Sequence, residues 1–151
     1  MKLSTKGRYA VVALSDLVLE GGSDYVRLSE IAKRQNISQQ YLEQLFVKLR
    51  RTGIVESSRG PRGGYRLSRP PEHVNISEIL LAVDESIGKP VLGKRTGTMS
   101  GSQAQSLANR LWESLSAQVY VHLHNITLLD IVTNGISPCP AVPNLLKIVD
   151  E

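Results

Sequence analysis

The segment from Ser57 to Pro70, SSRGPRGGYRLSRP, restricts the possible folds more than any other part of the chain. It places a turn rich in glycine, Arg59–Gly64, between two short runs, Ile54–Ser57 and Tyr65–Ser68, that are predicted to be strands. Glycine adopts the positive φ angles that tight turns need, and proline favours the same turns. The pattern therefore predicts a small β-hairpin. Four arginines lie within eleven residues around its turn: Arg59, Arg62, Arg66 and Arg69.

Helices are predicted directly before this hairpin. The first is expected to run from about Lys6 to the Gly21–Gly22 pair. Ser29 and Ser38 are expected to cap two further helices, with Asn36 between them as a residue that tolerates a left-handed conformation. The last of the three has apolar residues at helical spacing, which predicts a buried face: Tyr41, Leu42, Leu45, Phe46 and Leu49. Helix, turn, helix and hairpin in this order are the arrangement of a winged helix-turn-helix.

The chain beyond the hairpin is predicted to be helical. Pro70–Pro71 is typical of a linker, and Ser77 is expected to cap a short helix. A loop is expected at 87–103, then a long helix, then a short helix at 125–132. Apolar residues recur at every fourth position of the long helix: Leu107, Leu111, Leu115, Val119 and Leu123. We expect this stripe to be the seam of a homodimer, because little else in the chain could cover such a helix.

The resulting prediction is a mainly α fold with a small β-wing, in which a long dimerisation helix follows a winged helix-turn-helix. We expect a DNA-binding domain at 1–70, a helical dimerisation and sensor region at 71–134 with its loop at 87–103, and a proline-containing tail at 135–151.

Charge is distributed unevenly along the chain. The first 70 residues hold 13 of the 18 Lys/Arg residues and 6 of the 14 Asp/Glu residues, whereas the remainder carries a net negative charge. Such asymmetry suggests that the N-terminal part binds a polyanion. We expect no membrane partner because no stretch is apolar enough to span a bilayer, and a single cysteine with no signal peptide predicts a cytoplasmic protein.

The helix that begins after Ser38 leaves a polar face outward: Gln39, Gln40, Glu43 and Gln44, with Val47 beside them. Glutamine can pair with adenine and glutamate can accept a hydrogen bond from cytosine, so this face is suited to a DNA major groove. The arginines of the hairpin, with Arg59 and Arg62 in its turn, are suited to phosphates or to a minor groove. The alternative is a solvated polar helix beside a solvated basic hairpin. No Lys-Ser or Lys-Thr follows the glycines, which argues against an enzymatic phosphate-binding loop.

Four segments resemble the IscR-type winged-helix regulators, a family that includes NsrR and CymR: LSTKGRYAV, ISQQYLEQLFVKLR, SSRGPRGGYRL and ILLAVDES. The resemblance implies a homodimeric transcription regulator, a repressor of iron–sulfur cluster assembly or iron metabolism genes, that contacts double-stranded operator DNA through a recognition helix and a wing. By motif match, it implies DNA contacts at Ser38, Gln40, Tyr41, Glu43, Gln44 and Arg59. It also implies that Glu43 discriminates between operator sequences.

The chain departs from this family at the cofactor. Relatives carry a C-x5-C-x5-C-x2-H loop, whereas the matching positions here, aligned without gaps, are Leu92, Thr98, Ala104 and Leu107. If the alignment is anchored on Leu111-Trp112, the last two become Ser106 and Asn109, and neither alignment supplies a thiolate. The usual [2Fe–2S] site is therefore absent. Cys139, in the sequence Ser-Pro-Cys-Pro, is the one thiolate that could hold an atypical iron–sulfur cluster, and the alternative is an ordinary tail cysteine. A regulator of the same fold that senses a metabolite or a partner protein, in cysteine metabolism or stress, is the second functional hypothesis.

Overall fold

The computed structural model describes residues 4–85 and 102–133, and it confirms a mainly α fold with a small β-wing. The α-helices of these two segments are α1 (Thr5–Asp16), α2 (Leu28–Gln35), α3 (Gln39–Arg51), α4 (Ile76–Ala82), α5 (Gln103–Asn125) and α6 (Leu128–Val132). A π-helical turn at Leu17–Gly21 extends α1, and a 3₁₀ turn lies at Pro71–His73. The strands are β1 (Val55–Ser58) and β2 (Gly64–Leu67). The expected tail at 135–151 and most of the expected loop at 87–103 lie outside the described residues.

The start of α1 is bound by a carboxylate that is distant in sequence. Ser4 occupies the N-cap position, but its hydroxyl donates to Glu85 instead of accepting from the helix. The backbone N–H groups of Ser4 and Gly7 also donate to Glu85, at 3.1 and 3.2 Å. Glu85 thus satisfies N–H groups that have no partner within the helix. These hydrogen bonds, with that from the Ser4 hydroxyl the strongest, hold the pKa of Glu85 below its usual value of 4.5.

The helix pair before the wing has one unexpected boundary. Helix α2 begins at Leu28 with Arg27 as N-cap, so the prediction that Ser29 caps it is wrong; the Glu30 carboxylate accepts from the Arg27 N–H at 3.3 Å. Asn36 adopts the left-handed conformation, with φ 53°. The Ser38 hydroxyl accepts from the Tyr41 N–H at 3.4 Å, as expected for the cap of α3.

The wing is an antiparallel pair whose register runs from Val55 opposite Leu67 to Ser58 opposite Gly64, one residue from the predicted strands. A further backbone pairing joins β2 to the segment before α2: Val26 and Tyr65 exchange two hydrogen bonds of 2.8 Å. Gly64 has a φ of 149°, and a Cβ atom there would lie 2.3 Å from the Val26 carbonyl oxygen. Only glycine permits this close approach.

One hydrophobic core joins the helices of both described segments. It contains the inward faces of α1 and α3, residues of α4, and Leu128 of α6, so the expected division at residue 70 does not coincide with a break in the core. The buried residues of α3 are Leu42, Leu45, Phe46 and Leu49. Ser77 does not cap α4 as predicted, because Asn75 does; Ser77 is buried, and its hydroxyl hydrogen-bonds to His124 Nδ1 at 3.1 Å.

Helix α5 is long and has no fully buried residue. Near its C-terminal end, Tyr120 and Leu123 pack against the core. Most of its length is exposed. In the described segments, no helix is both long and apolar enough to cross a bilayer.

An ion pair between a buried carboxylate and a partly exposed arginine joins α1 to α2. The side chain of Asp16 is 1% exposed and lies 2.6 Å from the Arg34 guanidinium. The Gln35 amide donates to the same carboxylate at 2.7 Å. Burial disfavours the charged form of Asp16, but the hydrogen bonds and the Arg34 charge together outweigh it and lower the pKa below 3.8.

We predict that Asp16→Asn lowers the free energy of unfolding at pH 7 by about 1–3 kcal/mol, because Arg34 loses a charged partner. A carboxylate whose pKa is lowered by folding stabilises fully above its unfolded pKa of about 3.9, and this contribution is lost as pH falls through the folded value. Urea unfolding at pH 7 and pH 3 should therefore show a gap between the two proteins that narrows at pH 3. Asp24→Asn, at an exposed position, is the matched control and should leave the urea midpoint unchanged; an equal gap at both pH values for Asp16→Asn would contradict the prediction.

Candidate nucleic-acid interface

Helix α3 presents a polar face opposite its buried one. Residues 42, 45, 46 and 49 point inward, so the remaining positions of the first two turns face solvent. The exposed side chains are Ser38, Gln39, Gln40, Glu43, Gln44 and Val47. Tyr41 is half-buried, with its ring edge-to-face against Tyr9 at a centroid distance of 5.7 Å. The Gln39 amide donates to Glu43 at 3.4 Å, which orients the carboxylate along the exposed face.

The structure divides the four arginines of the wing into two pairs. Arg66 lies 2.5 Å from Glu56 on the opposite strand and stacks over the Tyr25 ring at 4.5 Å. Arg69 lies 2.9 Å from Glu78 of α4. Arg66 and Arg69 thus each already have a carboxylate partner.

Arg59 and Arg62 lie in the turn of the wing and are exposed. Among the described residues, neither lies within 4.0 Å of a carboxylate. Gly60, with φ 106°, lies between them and allows the chain to turn sharply. Two guanidinium groups at the tip of a narrow hairpin can approach a polyanion closely.

A cleft of about 570 Å³ separates the exposed face of α3 from the wing. Gln39, Glu43 and Val47 line the helix side, and Ser58 and Gly60 line part of the wing side. Residues at the start of α2 complete its wall: Arg27, Leu28 and Ser29. The Arg27 guanidinium donates a hydrogen bond to the carbonyl of Pro61 in the wing turn. Sequence reasoning missed Arg27, because its partner lies 34 residues away.

The far end of α3 contacts the AVDES segment, a role that sequence reasoning also missed. Lys48 lies 2.6 Å from Asp84, and this hydrogen bond holds the pKa of Asp84 below 3.8. Asp84 has a positive φ of 58°, and the next residue is Glu85, which binds the start of α1. Two adjacent carboxylates thus bind two different helices: Asp84 pairs with α3, and Glu85 accepts hydrogen bonds from the start of α1. In the sequence, only the motif ILLAVDES marks this segment, and nothing local to it indicates contacts with α1 and α3.

The residues present do not fit the [2Fe–2S] cluster that is usual in the IscR-type regulators, which the sequence resembles. Of the four matching positions, Ala104 and Leu107 lie in α5 and carry apolar side chains, whereas Leu92 and Thr98 lie outside the described residues. In the described parts of the chain, no group of three or more His, Cys, Asp or Glu side chains could hold a metal ion. Cys139 lies outside the described residues, so the hypothesis that it holds a cluster stays a prediction.

The apolar stripe of α5 is exposed at its N-terminal end. Leu107, Leu111 and Leu115 are 56%, 61% and 50% exposed. Residues four apart rotate by about 40° around a helix, so the stripe turns through about 160° by Leu123. For this reason Leu123 packs against the core of its own chain, whereas the exposed face includes Val121. Trp112, which follows Leu111 in the sequence, is also exposed.

A helix-turn-helix with a polar recognition face, followed by a basic wing, defines the class of winged-helix DNA-binding regulators. The sequence model of the Rrf2 family, described as iron-dependent transcriptional regulator, matches residues 3–134. The chain therefore belongs to the Rrf2 family.

Individual relatives agree with this assignment. The HTH-type transcriptional regulator IscR of Cereibacter sphaeroides is 59% identical over the whole of this chain and 99% of its own length. IscR of Sodalis glossinidius is 42% identical over 89% of this chain and 80% of its own. Among solved structures, CymR of B. subtilis, titled the global cysteine regulator, has a TM-score of 0.73 at 30% identity and covers 89% of this chain and 98% of its own. T. potens IscR has a TM-score of 0.66 at 34% identity and covers 90% of this chain and 89% of its own.

Proteins of this family are regulators of transcription and not enzymes, and this chain is a DNA-binding transcription regulator.

Proposed function

We propose that this regulator acts in the cytoplasm, binds operator DNA as a homodimer and represses genes of iron–sulfur cluster assembly or iron metabolism. The observation that carries the proposal is the polar exposed face of α3, which lies across a cleft from the wing. The turn of that wing carries two exposed arginines, Arg59 and Arg62. The iron connection is supported by the family description and by 59% identity to an IscR regulator.

Helix α3 is the proposed reader of the major groove. Gln40 and Gln44 carry amides that can pair with adenine, and Glu43 can accept a hydrogen bond from the cytosine amino group. Gln39 supports Glu43 through its 3.4 Å hydrogen bond. Ser38 and Tyr41, at the start of the helix, are the proposed phosphate contacts.

The wing is the proposed contact to the minor groove or its phosphates. Arg59 and Arg62 are the two wing arginines that have no carboxylate partner in the described parts of the chain. Inserting them into DNA therefore breaks no internal ion pair. Arg66 and Arg69, by contrast, stabilise the wing and its junction with α4.

A twofold dimer is supported by α5. Its exposed apolar side chains, Leu107, Leu111, Leu115 and Val121, would cost free energy if they stayed in water. A shallow groove along the same helix is lined by Gln118, Val121 and His122. A second copy of α5 would cover this face. Val119, a half-buried member of the predicted seam, would lie at its border.

Signal sensing has two candidate forms. One is an atypical iron–sulfur cluster involving Cys139; the other is a metabolite or partner-protein signal without a cluster. The second is favoured by the poor fit of the usual ligand positions and by the structural similarity to a cysteine regulator.

We predict that Arg59→Ala weakens operator binding by about 1–3 kcal/mol, because a guanidinium contact to DNA is lost. Affinity measured by fluorescence anisotropy should also depend less steeply on salt concentration than in the wild type. Arg110→Ala, which removes the same charge from α5, is the control. An Arg59→Ala protein with wild-type affinity and salt dependence would place the wing away from DNA.

Glu43→Ala is predicted to relax sequence discrimination more than it lowers affinity. A carboxylate near phosphates is repulsive unless it meets a base donor, so its removal should improve binding to some sequences. Selection from a random-sequence duplex pool should return a broader set of sites for the variant than for the wild type. Glu72→Ala, which removes an exposed carboxylate outside α3 and the wing, is the control. An equal loss of affinity on every sequence for Glu43→Ala would show that Glu43 is not a selector.

Leu111→Asp is predicted to convert the dimer to monomers, because it would bury an unpaired charge in the proposed seam. Sedimentation velocity measures this directly, and operator binding should fall as well. Leu19→Asp introduces the same charge at an exposed apolar residue outside α5 and the cleft, and this variant should stay dimeric. A dimeric Leu111→Asp protein would refute the seam.

If Cys139 holds a cluster, anaerobically prepared Cys139→Ala should lose iron, sulfide and visible absorption together, since one thiolate of a sparse ligand set is removed. Helical content and dimerisation should not change. A variant that retains all three signals excludes Cys139 as a ligand, and wild-type protein without iron or sulfide favours the cluster-free form of sensing.

A further inference from the structure

The two proposed DNA contacts impose a distance requirement. A helix in the major groove and a wing in the neighbouring minor groove are separated by one phosphodiester strand. The gap between helix and wing must therefore match that strand. The cleft of about 570 Å³ between α3 and the wing lies where the strand would pass.

The base of the wing is firmly attached, but its tip extends beyond the ladder. Two 2.8 Å backbone hydrogen bonds join Tyr65 to Val26, and the last ladder pair is Ser58 with Gly64. The tip closes on itself through the Gly63 N–H, which donates to the Gly60 carbonyl at 2.9 Å. Glycines at 60 and 63 leave this tip with much conformational freedom in the absence of other contacts.

Arg27 supplies such a contact. In the described parts of the chain, its hydrogen bond to the Pro61 carbonyl is the only one that joins the tip at 59–63 to an element outside the hairpin. Arg27 is itself held in place, because its N–H donates to Glu30 and its neighbour Val26 pairs with Tyr65. Arg59 and Arg62 lie on either side of the tip residue that it binds.

We propose that Arg27 is a positioning residue of the DNA interface, which holds the wing tip at the distance from α3 that one phosphodiester strand requires. The inference rests on the proposed contact between the wing and DNA. Fixing the tip before binding reduces the conformational entropy that Arg59 and Arg62 would otherwise lose on the DNA. The contribution of Arg27 to affinity is therefore made through those two arginines.

A double-mutant cycle separates this role from a direct phosphate contact by Arg27. The proteins are the wild type, Arg27→Ala, the pair Arg59→Ala with Arg62→Ala, and the triple variant. The probe is a duplex selected by the wild-type protein from a random-sequence pool, and affinity is measured at one fixed salt concentration. Arg27 is exposed, so the variants should keep the circular dichroism spectrum of the wild type.

In the presence of both wing arginines, Arg27→Ala should weaken binding by about three- to tenfold, whereas without them it should weaken binding by less than about twofold. Arg8→Ala, which removes an exposed arginine of α1 away from the cleft, should change affinity by less than about twofold in either background. Hydroxyl-radical footprinting should show loss of minor-groove protection with Arg27→Ala, while guanine N7 protection by α3 persists.

An equal loss in both backgrounds would overturn the inference and assign Arg27 a direct contact. No loss in either background would overturn it as well. These outcomes differ from failure of the proposed function, in which the Arg59 and Arg62 substitutions would themselves leave affinity unchanged.

Discussion

Burial of one face of α3 is the constraint on which the interface depends. Leu42, Phe46 and Leu49 are fully buried, and Leu45 is almost so. With these side chains fixed in the core, the helix cannot rotate about its axis without exposing apolar surface, at a cost of about 25 cal/mol per Å². The orientation of Glu43 and its exposed neighbours is therefore set by residues that never contact a ligand.

Polar contacts hold the same helix at both ends, one between residues close in sequence and the other between residues far apart in sequence. At its start, Ser38 acts within three residues, accepting from the Tyr41 N–H. Towards its end, Lys48 meets Asp84 from 36 residues away, and Glu85 in turn binds the first turn of α1. The short-range cap is visible in the sequence, whereas the long-range pair requires the core to bring α4 beside α1 and α3.

This difference explains how far the sequence predicted the structure. Periodicity and local turn chemistry correctly predicted the apolar face of α3, the left-handed Asn36 and the hairpin, since each depends on neighbouring residues. The cap of α2 was misassigned because Glu30 stabilises an earlier start than Ser29 would. The sequence did not indicate that Arg66 pairs with Glu56 and Arg69 with Glu78, because these residues become neighbours only after folding. The stripe of α5 was predicted as one seam, but its four-residue repeat drifts, so Leu123 faces the core of its own chain.

The glycines of the wing divide the hairpin into positions that can change and positions that cannot. A Cβ atom at Gly63 would lie 2.4 Å from the Ser58 carbonyl oxygen, and one at Gly64 would lie 2.3 Å from that of Val26. Side chains at 59 and 62 meet no such barrier, because both extend into solvent. In evolutionary terms, the wing can exchange the side chains at 59 and 62, and with them its preference for groove shape, while the glycines and the backbone anchor are preserved. New binding specificities are thus accessible to this fold through single substitutions that leave its stability almost unchanged.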